Sequence, residues 1–241
     1  MEIARVFIGY DPREDDAYKV ARHSIEARSS IPVLVTPIRE QRLRMAGMYR
    51  RPYSITKNNG AVQRYDDLDG KPFSTDFSFT RFLVPAMQQW DGWAVFVDCD
   101  FLFLADIAEL FAQRDETVAV KVVKRDYVPR ESVKMDGQIQ ALYPRKNWSS
   151  LILWNCEYPV NKRLTPDVVN GQTGSWLHGF SWLMDDEIGS LDPAWNWLEG
   201  ESSPDLAPKA VHYTRGGPWL DDYKTVAYAD DWLAEARAAG L

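Results

Sequence analysis

Two carboxylates separated by one residue, Asp98 and Asp100, stand in the otherwise apolar run Ala94-Val95-Phe96-Val97-Asp98-Cys99-Asp100-Phe101-Leu102-Phe103-Leu104. An unpaired carboxylate taken out of water costs several kcal/mol, so the pair must be solvated at a strand end, hydrogen-bonded, or holding a cation. Residues two apart on an extended chain face the same way, so both aspartates can offer oxygens to one hard metal ion. Cys99, between them, fills space. The chain holds three histidines, His23, His178 and His212, and two cysteines, Cys99 and Cys156, too few for a disulfide framework or a cysteine-based zinc site.

The elements that must carry this pair read as an alternation of strands and helices, hence an α/β fold. Arg5 to Tyr10 predicts a first strand, and Asp11-Pro12 an N-cap and first helical residue. Ala17, Val20, Ala21, Ser24 and Ile25 follow at helical spacing, and a strand running into a helix N-terminus suits nucleotide binding. Ile31 to Val35 predicts a second strand, and residues 41 to 77 read as loop-rich. An amphipathic helix over Phe79 to Trp90 precedes the strand Trp93 to Val97 that delivers the aspartates. A helix from Asp106 to Arg114 with Asp106 as N-cap, then strands at Thr117 to Val123 and Ser149 to Trp154, complete the alternation. Trp176, Trp182, Trp195, Trp197 and Trp219 crowd the later third; singly each suits a core, and as a group they fit a sugar-stacking surface.

With 241 residues, 45% of them hydrophobic, the chain suits a single domain spanning 1–241. A formal net charge of −7 and no basic run with interleaved aromatics argue against nucleic acid as a partner. The N-terminus does not read as a signal peptide and no apolar run approaches the roughly 20 residues of a membrane span, so a cytoplasmic location is expected.

Asp-x-Asp at a strand end is also where phosphohydrolases of the haloacid-dehalogenase type carry a nucleophile and a general acid, which makes Asp98 a candidate nucleophile. That pattern wants Thr or Val where Leu102 stands, and a later acidic pair with another Asp four residues on; Met184-Asp185-Asp186 has Ser190 there. A longer set of motifs points elsewhere. Thr80-Arg81-Phe82-Leu83-Val84-Pro85, the Asp98–Asp100 strand, 148–156 (WSSLILWNC), 188–198 (IGSLDPAWNWL) and 211–219 (VHYTRGGPW) resemble, in order, the glycogenin-like family 8 glycosyltransferases.

That resemblance implies a GT-A fold, a single Rossmann-like domain with a central mixed, mostly parallel sheet, and transfer of a hexose from a nucleotide-sugar, usually a UDP-sugar, with retention at the anomeric carbon. It implies Mn²⁺ or Mg²⁺ held by Asp98, Asp100 and His212, a donor set compatible with Mn²⁺. An acidic protein repels a diphosphate unless a cation intervenes, which agrees with that implication. It also implies that Arg81 reaches the donor phosphates and that Ile8, Gly9, Tyr10 and Asp11 hold the nucleoside: Gly9 by close backbone approach, Tyr10 by stacking, Asp11 by accepting from uracil or ribose. Cys99 joins the donor-binding set by its place in the motif.

The sequence departs from the family in three places, one of them the Asn-x-Gly strand entry, which stands here as Trp148-Ser149-Ser150. The Asp-Gln pair of the sugar site is replaced near Trp176-Leu177, leaving His178 as the polar candidate for a catalytic role. The lysine of the C-terminal motif is missing, and Arg215, or the backbone N–H groups of Gly216 and Gly217, takes its place toward the diphosphate. The expected branch is a divergent bacterial or phage-type one acting on an unknown glycan or small-molecule acceptor. A donor-binding but inactive homologue is the non-enzymatic alternative.

Overall fold

The computed structural model describes residues 3–58, 61–125, 145 and 147–241. Its strands are β1 (Ala4–Tyr10), β2 (Val33–Arg39), β3 (Tyr53–Asn58), β4 (Ala61–Asp66), β5 (Pro72–Phe73), β6 (Trp93–Val97), β7 (Phe101–Phe103), β8 (Val120–Val122), β9 (Leu151–Asn155), β10 (Ile188–Ser190), β11 (Trp197–Leu198) and β12 (Ala210–His212). Its α-helices are α1 (Asp15–Arg28), α2 (Glu40–Met45), α3 (Val84–Met87), α4 (Ile107–Phe111), α5 (Pro166–Gly171), α6 (Gly174–His178) and α7 (Ala229–Ala238).

A six-stranded sheet in the order β10-β8-β9-β6-β1-β2 forms the centre. β6 and β9 are buried at every position and apolar but for Asn155 at the end of β9, as befits strands covered on both faces. β1 runs parallel to β2 and β6, whereas β9 is antiparallel to both β6 and β8, and β8 is parallel to β10. Every strand except β9 therefore ends at one edge, and β9 begins there. This edge is where open α/β sheets bind ligands.

Two smaller sheets complete the fold. In one, of order β11-β12-β7, β7 and β12 are antiparallel. The other, of order β3-β4-β5, occupies much of the stretch expected to be loop-rich, which also contains α2. Three other expectations shift. β2 starts two residues later and runs through Pro37 to Arg39, because an edge strand tolerates a residue without an N–H. The helix expected over Phe79 to Trp90 is a 3₁₀ turn, Thr80–Leu83, leading into α3 and ended by positive φ at Gln89 and Trp90. The tryptophan surface dissolves: Trp182, Trp195 and Trp197 are buried in the cores and only Trp176 and Trp219 are half-exposed.

α1 follows the expected amphipathic pattern, with Ala17, Val20, Ala21, Ser24 and Ile25 buried. It is tied to α7 by Glu235, whose carboxylate pairs with His23 and, at 2.6 Å, with Arg28. No helix among the described residues is long and apolar enough to cross a membrane.

Candidate metal centre

The aspartates lie in a turn. β6 stops at Val97, the Asp98 N–H donates to the Ser150 carbonyl at 2.9 Å, and the chain bends into β7 of the neighbouring sheet. Asp100 is held from the other side, its carbonyl accepting the Tyr213 N–H at 3.0 Å. Register then brings in a distant residue: Phe101 lies opposite His212 in the β7–β12 ladder, and the two rings stack with centroids 4.2 Å apart. His212 Nε2 consequently sits 3.3 Å from an Asp100 carboxylate oxygen. One donor atom from each of Asp98, Asp100 and His212 lies within 4.8 Å of the others. Donors sharing one ion at about 2.0–2.6 Å are separated by roughly 3–5 Å, so the three fit a divalent cation.

The histidine is presented in the form a metal requires. Ser150 Oγ donates to the Asn147 carbonyl at 2.7 Å, so it accepts from Asn196 Nδ2 at 2.9 Å, which also reaches the Asn147 carbonyl at 3.2 Å. The amide of Asn196 is thereby oriented with Oδ1 toward His212 Nδ1, 2.8 Å away, so Nδ1 carries the proton and Nε2 keeps its lone pair toward the aspartates. In the sequence Asn196 carries no signal of its own within Ala194-Trp195-Asn196-Trp197-Leu198. Asn196→Ala is expected to weaken Mn²⁺ binding about 10- to 100-fold, while Asn196→Asp, which still accepts from Nδ1–H, keeps most of it. Titration followed by the manganese electron paramagnetic resonance signal checks both.

Arg81 is buried beside the pair, one terminal nitrogen 2.8 Å from an Asp98 oxygen and 2.8 Å from the Ser149 carbonyl. His178 meets this group only indirectly. Its Nδ1 lies 2.8 Å from Ser149 Oγ, its ring stands edge-on to Phe82, and burial, reinforced by Arg81 and Arg51, keeps its pKa well below the ordinary histidine range. The enclosed imidazole stands behind Ser149, whose carbonyl in turn accepts from Arg81.

The end of β1 is closely packed. Ile8 is fully buried, in register with Pro37 and Val97, so only its backbone can meet a ligand. What approaches Gly9 closely is a ring: a Cβ there would lie 2.4 Å from Phe77 Cγ. Gly9→Ala should accordingly cost about 1–3 kcal/mol through overpacking, read by urea unfolding. The Tyr10 ring carries the Arg39 guanidinium 3.5 Å from its centroid and is too enclosed to stack on a base without displacing it. Asp11 is fully buried. Burial would raise its pKa, but hydrogen bonds and the charge of Arg13 hold it below the usual range, and it also accepts from the Asp76 N–H at 3.2 Å. It caps the turn after β1 and anchors Arg13. Cys99 is buried, its thiol directed 3.2 Å from a Glu14 carboxylate oxygen and pushed up in pKa by that burial.

At the C-terminal motif, Arg215 is half-exposed and 3.5 Å from a Glu201 oxygen. Gly216 takes a φ of 127°, and a Cβ on Gly217 would lie 2.0 Å from the Trp219 ring. The glycines thus let the chain turn tightly after His212 and pack against Trp219.

No family model matches the chain. Protein CDI of Arabidopsis thaliana is 52% identical over 236 residues, covering 96% of this chain and 85% of its own. Among solved structures, the apo form of the bifunctional glycosyltransferase WbbM superposes with a TM-score of 0.62 at 15% identity, covering 97% of this chain. This chain spans 49% of the WbbM chain. The galactosyltransferase LgtC, solved in complex with donor and acceptor sugar analogs, gives a TM-score of 0.57 at 11% identity over 97% of this chain and 95% of its own. These likenesses show the GT-A glycosyltransferase fold.

Proposed function

Since the chain belongs to the family of Protein CDI and has the GT-A fold, we propose that it is a metal-dependent glycosyltransferase, moving a hexose from a UDP-sugar to a glycan or small-molecule acceptor. The observation that carries this reading is the convergence of Asp98, Asp100 and His212, with a bare Nε2, at the sheet edge where such folds bind nucleotides. Placement in a glycogenin-like family 8 branch of bacterial or phage type, and retention of configuration, are the finer parts of the same reading; the order of the five motifs supports them.

Mn²⁺ or Mg²⁺ held by the three residues would offset the charge that develops on the leaving diphosphate. The chain's own part is positional. Asp98 and Asp100 would hold the ion together with His212, and Asn196 keeps His212 Nδ1 engaged so that Nε2 faces them. Arg81, with Nη1 on Asp98 and the Ser149 carbonyl, stands beside the centre and is suited to a donor phosphate. Arg215, or the backbone N–H of Gly217, meets the diphosphate from the other side, the Gly216 N–H being donated to the Tyr213 carbonyl at 2.9 Å. A departing phosphate oxygen takes the acceptor's proton, so the transfer requires no strong general base. The backbone of Ile8 and Gly9 and the guanidinium of Arg13 line the nucleoside end. The whole chain acts as one domain in the cytoplasm.

The phosphohydrolase alternative has little support. Its acidic pair, Asp185 and Asp186, is exposed, and Asp185 is engaged by Arg145. The test is thermal stabilisation by a panel of nucleotide-sugars with and without Mn²⁺; a donor at 100 times its dissociation constant adds about 2.7 kcal/mol. Stabilisation by UDP-sugars only with metal is the expected result. Stabilisation by none of them would overturn the reading.

A further inference from the structure

Arg125 leaves the end of β8 at the same sheet edge as Asp98 and the start of β9. Its terminal nitrogens donate to neutral oxygens, Nη1 to Ser202 Oγ at 3.1 Å and Nη2 to the Asn196 carbonyl, and its Nε is buried without a partner. No carboxylate among the described residues lies within ion-pair distance of it. Burial works against its charge, and Glu201, the acid whose field offsets this, is shared with Arg215.

A guanidinium partly out of water and braced only by neutral groups is a costly arrangement. Holding the turn from Asn196 to Ser202 needs hydrogen-bond donors but no positive charge. The charge therefore calls for an anion that arrives with a ligand. Asn196 joins this group to the metal centre: its carbonyl takes Arg125 and its side chain takes His212. The surroundings add positive potential, with the Lys124 ammonium 5.9 Å and the Arg145 guanidinium 5.3 Å from the Trp148 ring, whose Nε1–H donates to the Arg125 carbonyl at 3.1 Å. In the glycosyltransferase reading, the donor diphosphate is already answered by the metal ion and Arg81, so Arg125 has a second anion to meet.

We propose that Arg125, with Lys124 beside it, receives a carboxylate or phosphate on the sugar side of the reaction, carried either by the transferred sugar or by the acceptor. This rests on the glycosyltransferase reading and narrows it to acidic substrates.

Calorimetric titrations in Mn²⁺ test it in two arms, on the parent, Arg125→Gln and Arg125→Lys. The donor arm compares UDP, UDP-glucose and UDP-glucuronate. The acceptor arm titrates glucose, glucuronate and glucose 1-phosphate into protein saturated with UDP. In one arm the parent is expected to bind the anionic probe roughly 10- to 100-fold more tightly than the neutral one, the value of a hydrogen bond to a charged group. Arg125→Gln removes that preference, Arg125→Lys keeps part of it, and UDP itself binds all three alike. The arm that responds identifies the source of the anion. No preference in either arm overturns the proposal, and so does an Arg125→Gln loss that falls equally on UDP. Should Arg125→Gln not fold, the parent's own preference and Arg125→Lys decide. Failure of UDP to bind the parent would instead sink the glycosyltransferase reading, whereas UDP binding without charge preference sinks this proposal alone.

Discussion

Asp100→Ala is expected to lower Mn²⁺ affinity by at least about 100-fold while leaving the fold intact. The substitution removes one of three donors, a larger loss than the 10- to 100-fold typical of an outer partner such as Asn196. The fold survives because what Asp100 contributes to the turn is its backbone carbonyl, which accepts from Tyr213 and is unchanged by the substitution. The side chain lies against His212 in the polar centre, and its loss relieves repulsion with Asp98. Manganese paramagnetic resonance reads the affinity and circular dichroism the fold. Unaltered affinity in a folded variant would remove Asp100 from the centre.

The second large effect lies away from the site. Arg51 and Asp66 are each 1% exposed and joined at 2.6 Å, and Arg51 also donates to the Val169 and Gln172 carbonyls at 3.1 and 2.5 Å. This one guanidinium fastens the β3-β4-β5 sheet to α5, with Phe79 packed 4.1 Å beneath it. Burial raises the Asp66 carboxyl above its usual range, and Arg51 offsets part of that. Arg51→Ala leaves a buried carboxylate and two carbonyls unanswered, so it should cost about 3–5 kcal/mol, lowering Tm by roughly 6–20 °C. The double variant Arg51→Met with Asp66→Leu should recover much of this, because an apolar pair leaves no charge behind. Differential scanning calorimetry of both separates the two outcomes. A single variant within about 1 kcal/mol of the parent would show that the pair is not fully desolvated.

What is legible in the sequence follows from how local each feature is. Asp98 and Asp100 are conspicuous because charge stands out in an apolar run, although a turn, rather than a straight strand, brings them together. The cap at Asp106 is read correctly because capping depends on neighbours two residues away, here the Ala108 N–H. The β3-β4-β5 sheet is missed because Ile55 and Val62 are exposed and give no inward stripe, yet Asn59-Gly60 is a turn signal that could have located the hairpin. His178 is the opposite case. Its polarity is visible, but its enclosure comes from Phe82 and Ser149, segments that only the fold places against it. The roles of Asn196 and Arg125 depend on contacts across the β8–β9 edge and have no local pattern.

The account's central claim is metal-dependent nucleotide-sugar chemistry at Asp98, Asp100 and His212, and release of UDP from a panel of UDP-sugars, followed with and without Mn²⁺, tests it most directly. The account predicts UDP release from at least one donor by the parent in Mn²⁺, abolished by a chelator and by Asp100→Ala. Release that persists unchanged in Asp100→Ala, or no release from any donor together with a beryllium fluoride adduct on Asp98, would contradict it.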